Sequence, residues 1–290
     1  TQGVSSAASD VYKRQILTDS TSDLPKSLMC LDNVYVIPLY VNMDGKYYKD
    51  GVDVSLDDVN LYNENNKKNL AKSSAPSPGD FDDIIKKIRD DGYEKIIAIM
   101  VSSNLSATFQ ILNIQASEDP NIKVIDSKSA SLGESLLLVY SLDLINEGLS
   151  FDEISIRLDQ VIDSKDLYVW FDSLENLKAG GRLTAHVSKA LGILNLKPLL
   201  KLNKDGKIDL IKLKVKEKRA IKQLVERVRE DLKDSRKYYL GLIHGSDESS
   251  VSDIEKQAKD LIDNSLGYFK NTFGSVVGVH VGSKACLLYT

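Results

Sequence analysis

The stretch Lys95-Ile-Ile-Ala-Ile-Met-Val101 constrains the fold more than any other feature of this 290-residue chain. A strand with one wet face alternates apolar and polar residues, whereas a continuous apolar run needs cover on both faces. Parallel sheets provide that cover, because their crossover helices lie above and below. The flanking segments read accordingly. Ile16-Leu-Thr18 is a strand that runs into the polar turn Asp19-Ser-Thr-Ser-Asp23, and Val34 to Val41 reads as a second strand ending at the turn Asp44-Gly45. Ser55 caps a helix whose first turn carries acids, which the helix dipole favours. Lys72 to Gly79 reads as a loop, and it ends at a helix start where Ser77 caps, Pro78 takes the first position and Asp80 follows. Leu105 to Ala116 is a helix, Lys123 to Ile125 a strand, Ala130 to Asn146 a helix, and Ser150-Phe-Asp-Glu153 a capping box that opens another helix. Strands alternating with helices of this length predict right-handed crossovers and a parallel sheet.

The texture changes after about Asp166. Leu167 to Phe171 is a strand, and Leu196 to Leu202, Asp205-Gly206 and Ile208 to Val215 together read as a hairpin. Helices at about 217–233 and 249–264 surround a strand from Tyr238 to Ile243. The expected fold is therefore α/β, with a parallel-sheet N-terminal domain at 16–165 and a second, mixed-sheet α/β domain at 166–285.

The flanks 1–15 and 286–290 are set aside from this reading. Asp10-Val-Tyr-Lys-Arg-Gln15 is what the DNA string GATGTGTATAAGAGACAG encodes, and Cys286-Leu-Leu-Tyr-Thr290 can be read from part of its reverse complement. Such an inverted pair resembles a transposon-end adapter, and flanks of that origin do not enter fold reasoning.

Composition excludes several classes. A net charge of -4 argues against nucleic acid as the main partner. No apolar run reaches the roughly 20 residues of a membrane span, and the polar N-terminus lacks the apolar core of a secretory leader. Two cysteines without a closely spaced pair fit a reducing cytoplasm. No His, Cys, Asp and Glu grouping has metal-ligand spacing, so no metal is expected. Nucleotide-binding glycine loops and the G-x-S-x-G elbow of serine hydrolases are absent too, so no catalytic residue is assigned.

The candidate chemistry lies in loops, because ligands of open α/β sheets bind beyond the carboxyl ends of the strands. Three segments there are rich in hydroxyls: Thr18 to Ser22, Ser73-Ser74 and Ser102-Ser103. They serve either as turn and cap residues or together as a receptor for a carboxylate or phosphate. Gly180-Gly181-Arg182 either ends a helix with a solvent-facing Arg or brings a guanidinium to an anion across a close-approaching backbone. His280 sits in the apolar run Val-Gly-Val-His-Val-Gly and is either a core residue or part of a site; His186 and His244 are isolated. The alternating Lys212 to Arg219 stretch is a solvated strand face or a dock for an acidic partner.

Ile16-Leu-Thr-Asp-Ser-Thr-Ser-Asp-Leu24, Ser73-Ser-Ala-Pro-Ser-Pro78, Val101-Ser-Ser-Asn-Leu-Ser106, Ile125-Asp-Ser127, Leu177-Lys-Ala-Gly-Gly-Arg182, Lys197-Pro198 and Gly278-Val-His-Val-Gly282 occur in an order that resembles the DegV family across Ile16 to Ala285. The resemblance implies a bacterial, cytoplasmic, lipid-binding protein that holds a long-chain fatty acid between two domains. It also implies a partner, the catalytic subunit of a fatty acid kinase, which phosphorylates the bound carboxyl group. On that basis the chain is no enzyme by itself, needs no cofactor beyond the bound fatty acid, and makes at most transient membrane contact. Carried over by motif, Ser73 and Ser103 would hydrogen-bond the carboxylate, with Arg182 and His280 near the same end. Ala75 and Ala107 depart from the family's usual glutamine and glycine. The alternative is a phosphotransferase or hydrolase acting on a small anionic substrate through Asp19 and the Ser102-Ser103 loop.

Overall fold

The computed structural model describes residues 14–289 except 165, 172–174, 184–186, 188–197, 213–216, 235–236, 247, 249–250 and 283–284. The apolar run forms strand β6 (Lys95–Met100), inside a parallel sheet with β1 (Arg14–Asp19), β2 (Val34–Ile37) and β7 (Ile122–Asp126) in the order β2-β1-β6-β7. Its side chains alternate between two fully covered faces. Ile96, Ala98 and Met100 pack with Phe81 and Ile88 of the helix Pro78–Asp90 and Leu112 of the helix Thr108–Gln115. Ile97 and Ile99 pack with Leu137 and Leu138 of the helix Leu132–Asn146 and Ile154 and Leu158 of the helix Phe151–Val161. Complete capping boxes at Ser55–Asp58, Ser77–Asp80 and Ser150–Glu153 start three helices where the sequence predicts them.

Two readings need correction here. Val34 to Val41 is not one strand. The chain breaks at Pro38, which has no N–H to offer a ladder, and the Leu39 N–H donates instead to Ser20 Oγ at 3.0 Å. Beyond the break, β3 (Tyr40–Met43) builds a separate antiparallel sheet with β4 (Lys46–Lys49) and β5 (Lys72–Ser74), ordered β4-β3-β5. Asp44 (φ 52) and Gly45 (φ 83) both adopt the left-handed region that the tight β3–β4 hairpin demands. The segment Lys72–Ser74, read as loop, is the strand paired on the other side of β3, with Ser73 opposite Val41.

The third sheet is mixed. It runs β10 (Ile208–Lys212), β9 (Leu199–Leu202), β8 (Leu167–Phe171), β13 (Ala285–Tyr289), β11 (Tyr239–His244) and β12 (Gly267–Thr272), and every pair but β11–β12 is antiparallel. The β9–β10 hairpin turns through Asn203 to Lys207, where the Asn203 carboxamide oxygen accepts from the N–H groups of Asp205 and Lys207. Strand β12 escaped the sequence reading, because its half-exposed edge position leaves a weak apolar pattern. Residues 286–289, set aside there as flank, supply most of β13, which pairs with β8 on one side and β11 on the other. Leu288 is 1% exposed inside this sheet. Leu288→Ala is therefore expected to cost about 2–5 kcal/mol, the range for truncating a buried leucine. An unchanged urea midpoint would show that the strand contributes nothing to the folded state.

The run 275–281 folds as a helix, and it ties the chain's end to its beginning. Val276 and Val279 enter the core of the three-stranded sheet beside Leu39, Val41 and Val59. Gly278 lets the helix lie against Leu56, since a Cβ there would fall 2.2 Å from Leu56 Cδ1. Buried carboxylates from the first half hold its N-terminus: Asp23 accepts from the Gly274 N–H and Asp50 from the Ser275 N–H.

Candidate ligand cavity

The three sheets meet around a space of about 790 Å³ free of atoms, its open side included. Loops after the carboxyl ends of β1, β6 and β7 contribute Thr21, then Val101, Leu105 and Ser106, then Ala130 and Ser131. Leu167, Val169, Leu202 and Ile208 of the mixed sheet form the facing wall, with Leu177, Val276, Val277, Val281 and Tyr289 between. Most of the lining is hydrocarbon, as in ordinary small-molecule sites.

The polar groups gather on few elements. Ser73 reaches the wall because β5 pairs with β3, and His280 because the 275–281 helix packs over that sheet. Ser73 Oγ and His280 Nε2 lie 2.8 Å apart, although 207 residues separate them in the chain. Burial, and then the charge of Arg182, lower the His280 pKa to about 3, so the imidazole is neutral at physiological pH. Its Nδ1 is buried and has no hydrogen-bond partner among the described residues.

Arg182 follows the short helix Glu175–Gly180 and is half-buried. Its Nε donates to the Leu105 carbonyl at 3.1 Å and one terminal nitrogen to the Gly180 carbonyl. Burial lowers its pKa, and among the described residues no acidic group acts on it to raise it. Two of its five N–H donors are thus committed to backbone, and among the described residues no carboxylate balances its charge. A cation desolvated in this way is stabilised by any anion that enters.

Of the residues singled out from sequence, Ser73, Arg182 and His280 line this one cavity. Ser103 is not among the lining residues: its N–H donates to Asp126 Oδ1 and its carbonyl accepts from Gln110. Ser106, three positions later, lines the wall instead, with its hydroxyl 2.8 Å from that of Thr108. The helix read from Leu105 begins at Thr108, and this leaves Ser106 in the loop. Thr21 comes from the hydroxyl-rich segment 18–22 read as a possible receptor, whereas Ser106 and Ser131 were missed as wall residues; both belong to serine-rich loops after a strand, which was the available signal. Asp19 is fully buried and accepts from the Thr21 N–H and hydroxyl and from the Val101 N–H. His244 is buried, with Nδ1 2.8 Å from the Gly245 carbonyl oxygen. His186 and half of the basic alternation, residues 213–216, lie outside the described residues. Among the described residues, no three His, Cys, Asp or Glu side chains come together as a metal site.

Beneath the cavity lies a group of buried acids. Glu134 accepts from the Thr18 hydroxyl at 2.7 Å, and Ser131 donates to Asp23. Burial pushes the Asp19 pKa up to about 6, raises that of Asp50, and lifts Asp23 and Glu134 well above their ordinary values.

Three sheets enclosing an apolar cavity with a hydroxyl, a neutral imidazole and an unbalanced guanidinium on its wall define an α/β protein built around a small-molecule ligand site. The chain matches the family model described as DegV family over residues 13–289. It belongs to the DegV family. A DegV domain-containing protein of Staphylococcus aureus is 32% identical over 277 residues, covering 94% of this chain and 96% of that one. One from Caldanaerobacter subterraneus subsp. tengcongensis is 30% identical over 275 residues, covering 94% and 96%. Among solved structures, a fatty-acid-binding DegV family protein from Thermus thermophilus superimposes with a TM-score of 0.87 at 26% identity, covering 96% of this chain and 98% of that one. A fatty-acid-binding DegV family protein from Streptococcus agalactiae gives 0.86 at 28% identity, with coverages of 96% and 98%. A stearic-acid-binding protein from Eubacterium ventriosum gives 0.84 at 25% identity, covering 95% and 97%.

Proposed function

We propose that this chain binds a long-chain fatty acid and presents its carboxylate to a separate fatty acid kinase subunit. The observation that carries the reading is Arg182, a half-buried cation that has no carboxylate partner among the described residues, at an apolar cavity beside the Ser73–His280 pair. The binding of fatty acids by related proteins of the same fold supports it. In this reading the carboxylate lies against Arg182 and the Ser73 hydroxyl, with His280 holding that hydroxyl, and the tail runs along the Leu and Val wall. Ser103, assigned by motif, acts from outside the lining by fixing the loop that carries Ser106. The halves 16–165 and 166–285 form the two lobes, and the cavity follows their seam.

Energetics favour such a ligand. Each buried methylene contributes about 0.8 kcal/mol, so a ~16-carbon tail supplies on the order of 10 kcal/mol before ordering costs. The headgroup adds less to affinity, but it selects, because a carboxylate taken from water without a partner is strongly disfavoured. No described helix is long and apolar enough to cross a membrane, and we place the carrier in the bacterial cytoplasm. The alternative use of Asp19 as a catalytic group finds no support, since that carboxylate is buried and committed to three donors.

Native mass spectrometry of gently extracted protein tests the reading. One fatty acid per chain is expected, and phosphorylation of that acid only when a kinase subunit and ATP are added. A chain that stays empty and shows no thermal shift with palmitate or oleate would sink the carrier reading.

A further inference from the structure

The carrier reading leaves open what holds the imidazole of His280 in place, since its Nδ1 has no hydrogen-bond partner among the described residues. The ring is wedged between two elements. Nε2 meets Ser73 on one side, and on the other Nδ1 and Cε1 lie directly against Gly180. A Cβ at residue 180 would fall 2.3 Å from Nδ1 and 2.9 Å from Cε1, closer than real Cβ atoms approach, so the ring or the backbone at 180 must shift. The carbonyl of the same glycine accepts a hydrogen bond from Arg182. Gly180 ends the helix Glu175–Gly180 without a positive φ; the left-handed turn belongs to Gly181 at φ 68. Backbone conformation therefore gives no reason for glycine at 180, where alanine would suit a helix better. Contact with His280 does.

Resting on the carrier reading, we propose that Gly180 is the positioning residue for the cavity's polar groups: its missing side chain seats His280 against Ser73 while its carbonyl steadies Arg182, and the pair together makes the site select an acid over a neutral headgroup. Gly180→Ala displaces the imidazole toward Ser73 and the space a carboxylate would use, and leaves the apolar wall intact.

The test compares dissociation constants for palmitate and 1-hexadecanol in wild type, Gly180→Ala, His280→Ala and the double variant. Gly180→Ala is expected to weaken palmitate about tenfold or more and hexadecanol less than about twofold. In the His280→Ala background the methyl has no ring to displace, so adding Gly180→Ala is expected to change palmitate affinity less than about twofold. Equal weakening of both ligands, an unchanged palmitate constant, or the same loss with and without the His280 ring would each overturn the proposal. Wild type that binds neither ligand would overturn the carrier reading itself, and this inference with it. Wild type that prefers palmitate while Gly180→Ala keeps the preference would remove only the role of Gly180.

Discussion

Arg182→Met is expected to weaken palmitate binding roughly 10- to 150-fold, the equivalent of losing a charged hydrogen bond worth about 1.5–3 kcal/mol. Methionine keeps an apolar stem of similar reach, so the substitution removes charge and donors with little change in packing. The empty protein should lose no thermal stability. Burial acts on the guanidinium without a compensating acid among the described residues, so its removal relieves a desolvation cost. Opposite signs for affinity and stability mark a residue kept for its ligand. Isothermal titration with palmitate and thermal melting of ligand-stripped protein measure the two effects. Unaltered affinity would place the headgroup elsewhere in the cavity. Lower stability with unaltered affinity would make Arg182 a structural residue that holds the Leu105 and Gly180 carbonyls.

Stability is expected to fall as pH rises from about 4 to 7, and Glu134→Gln should flatten that slope. The buried acids and His280 pull in opposite directions. Glu134 and Asp23 have folded pKa values well above the unfolded ones, Asp50 is raised in the same sense, and Asp19 is pushed up to about 6. Across that window the folded chain keeps protons that the unfolded chain releases, so their contribution is complete below the unfolded carboxylate pKa and is lost as pH climbs. His280 does the reverse: its folded pKa of about 3 leaves the unfolded chain to take a proton below about 6.5, which costs stability as pH falls. Each group changes stability by up to about 1.4 kcal/mol per pH unit within its window. Four raised acids outweigh one depressed histidine. Glutamine at 134 can still accept from the Thr18 hydroxyl and carries no charge to desolvate. Its urea midpoint at pH 7.5 should exceed that of wild type, and the two should converge near pH 4. A wild-type midpoint that rises with pH between 4 and 7 would contradict the assignment of buried, proton-retaining acids.

The buried acids also show why cavity and fold are hard to separate. Thr21 and Ser131 line the cavity and at the same time donate to Asp19 and Asp23. Asp23 and Asp50 in turn hold the start of the helix that carries His280. A substitution that disturbs these acids is thus expected to reach the headgroup end of the cavity through the 275–281 helix. Comparing palmitate affinity in Asp50→Asn and wild type measures this coupling; equal affinity would show that the helix keeps its position without the carboxylate.

Local chemistry alone determined much of this protein. The apolar run at 95–101 required a strand covered on both faces, and three serine caps started their helices because a cap depends on residues only three apart. Asp44-Gly45 set its hairpin through its left-handed backbone preference. Pro38 also carried its message in sequence, since a residue without an N–H cannot continue a ladder. Other features depend on partners far along the chain. Ser73 became a wall residue only because β5 found β3, and it met His280 across 207 residues because the 275–281 helix packs over that small sheet. Ser106 rather than Ser103 reaches the cavity because the loop after β6 runs on to Thr108. Residues 286–289 belong to the mixed sheet because they pair with β8 on one side and β11 on the other, strands far away in the chain. Residue type and short spacing settle caps, turns and strand cover, whose energies are local. Which hydroxyl, imidazole and guanidinium share a cavity is decided by the packing of sheets and helices, and no short stretch of sequence records that.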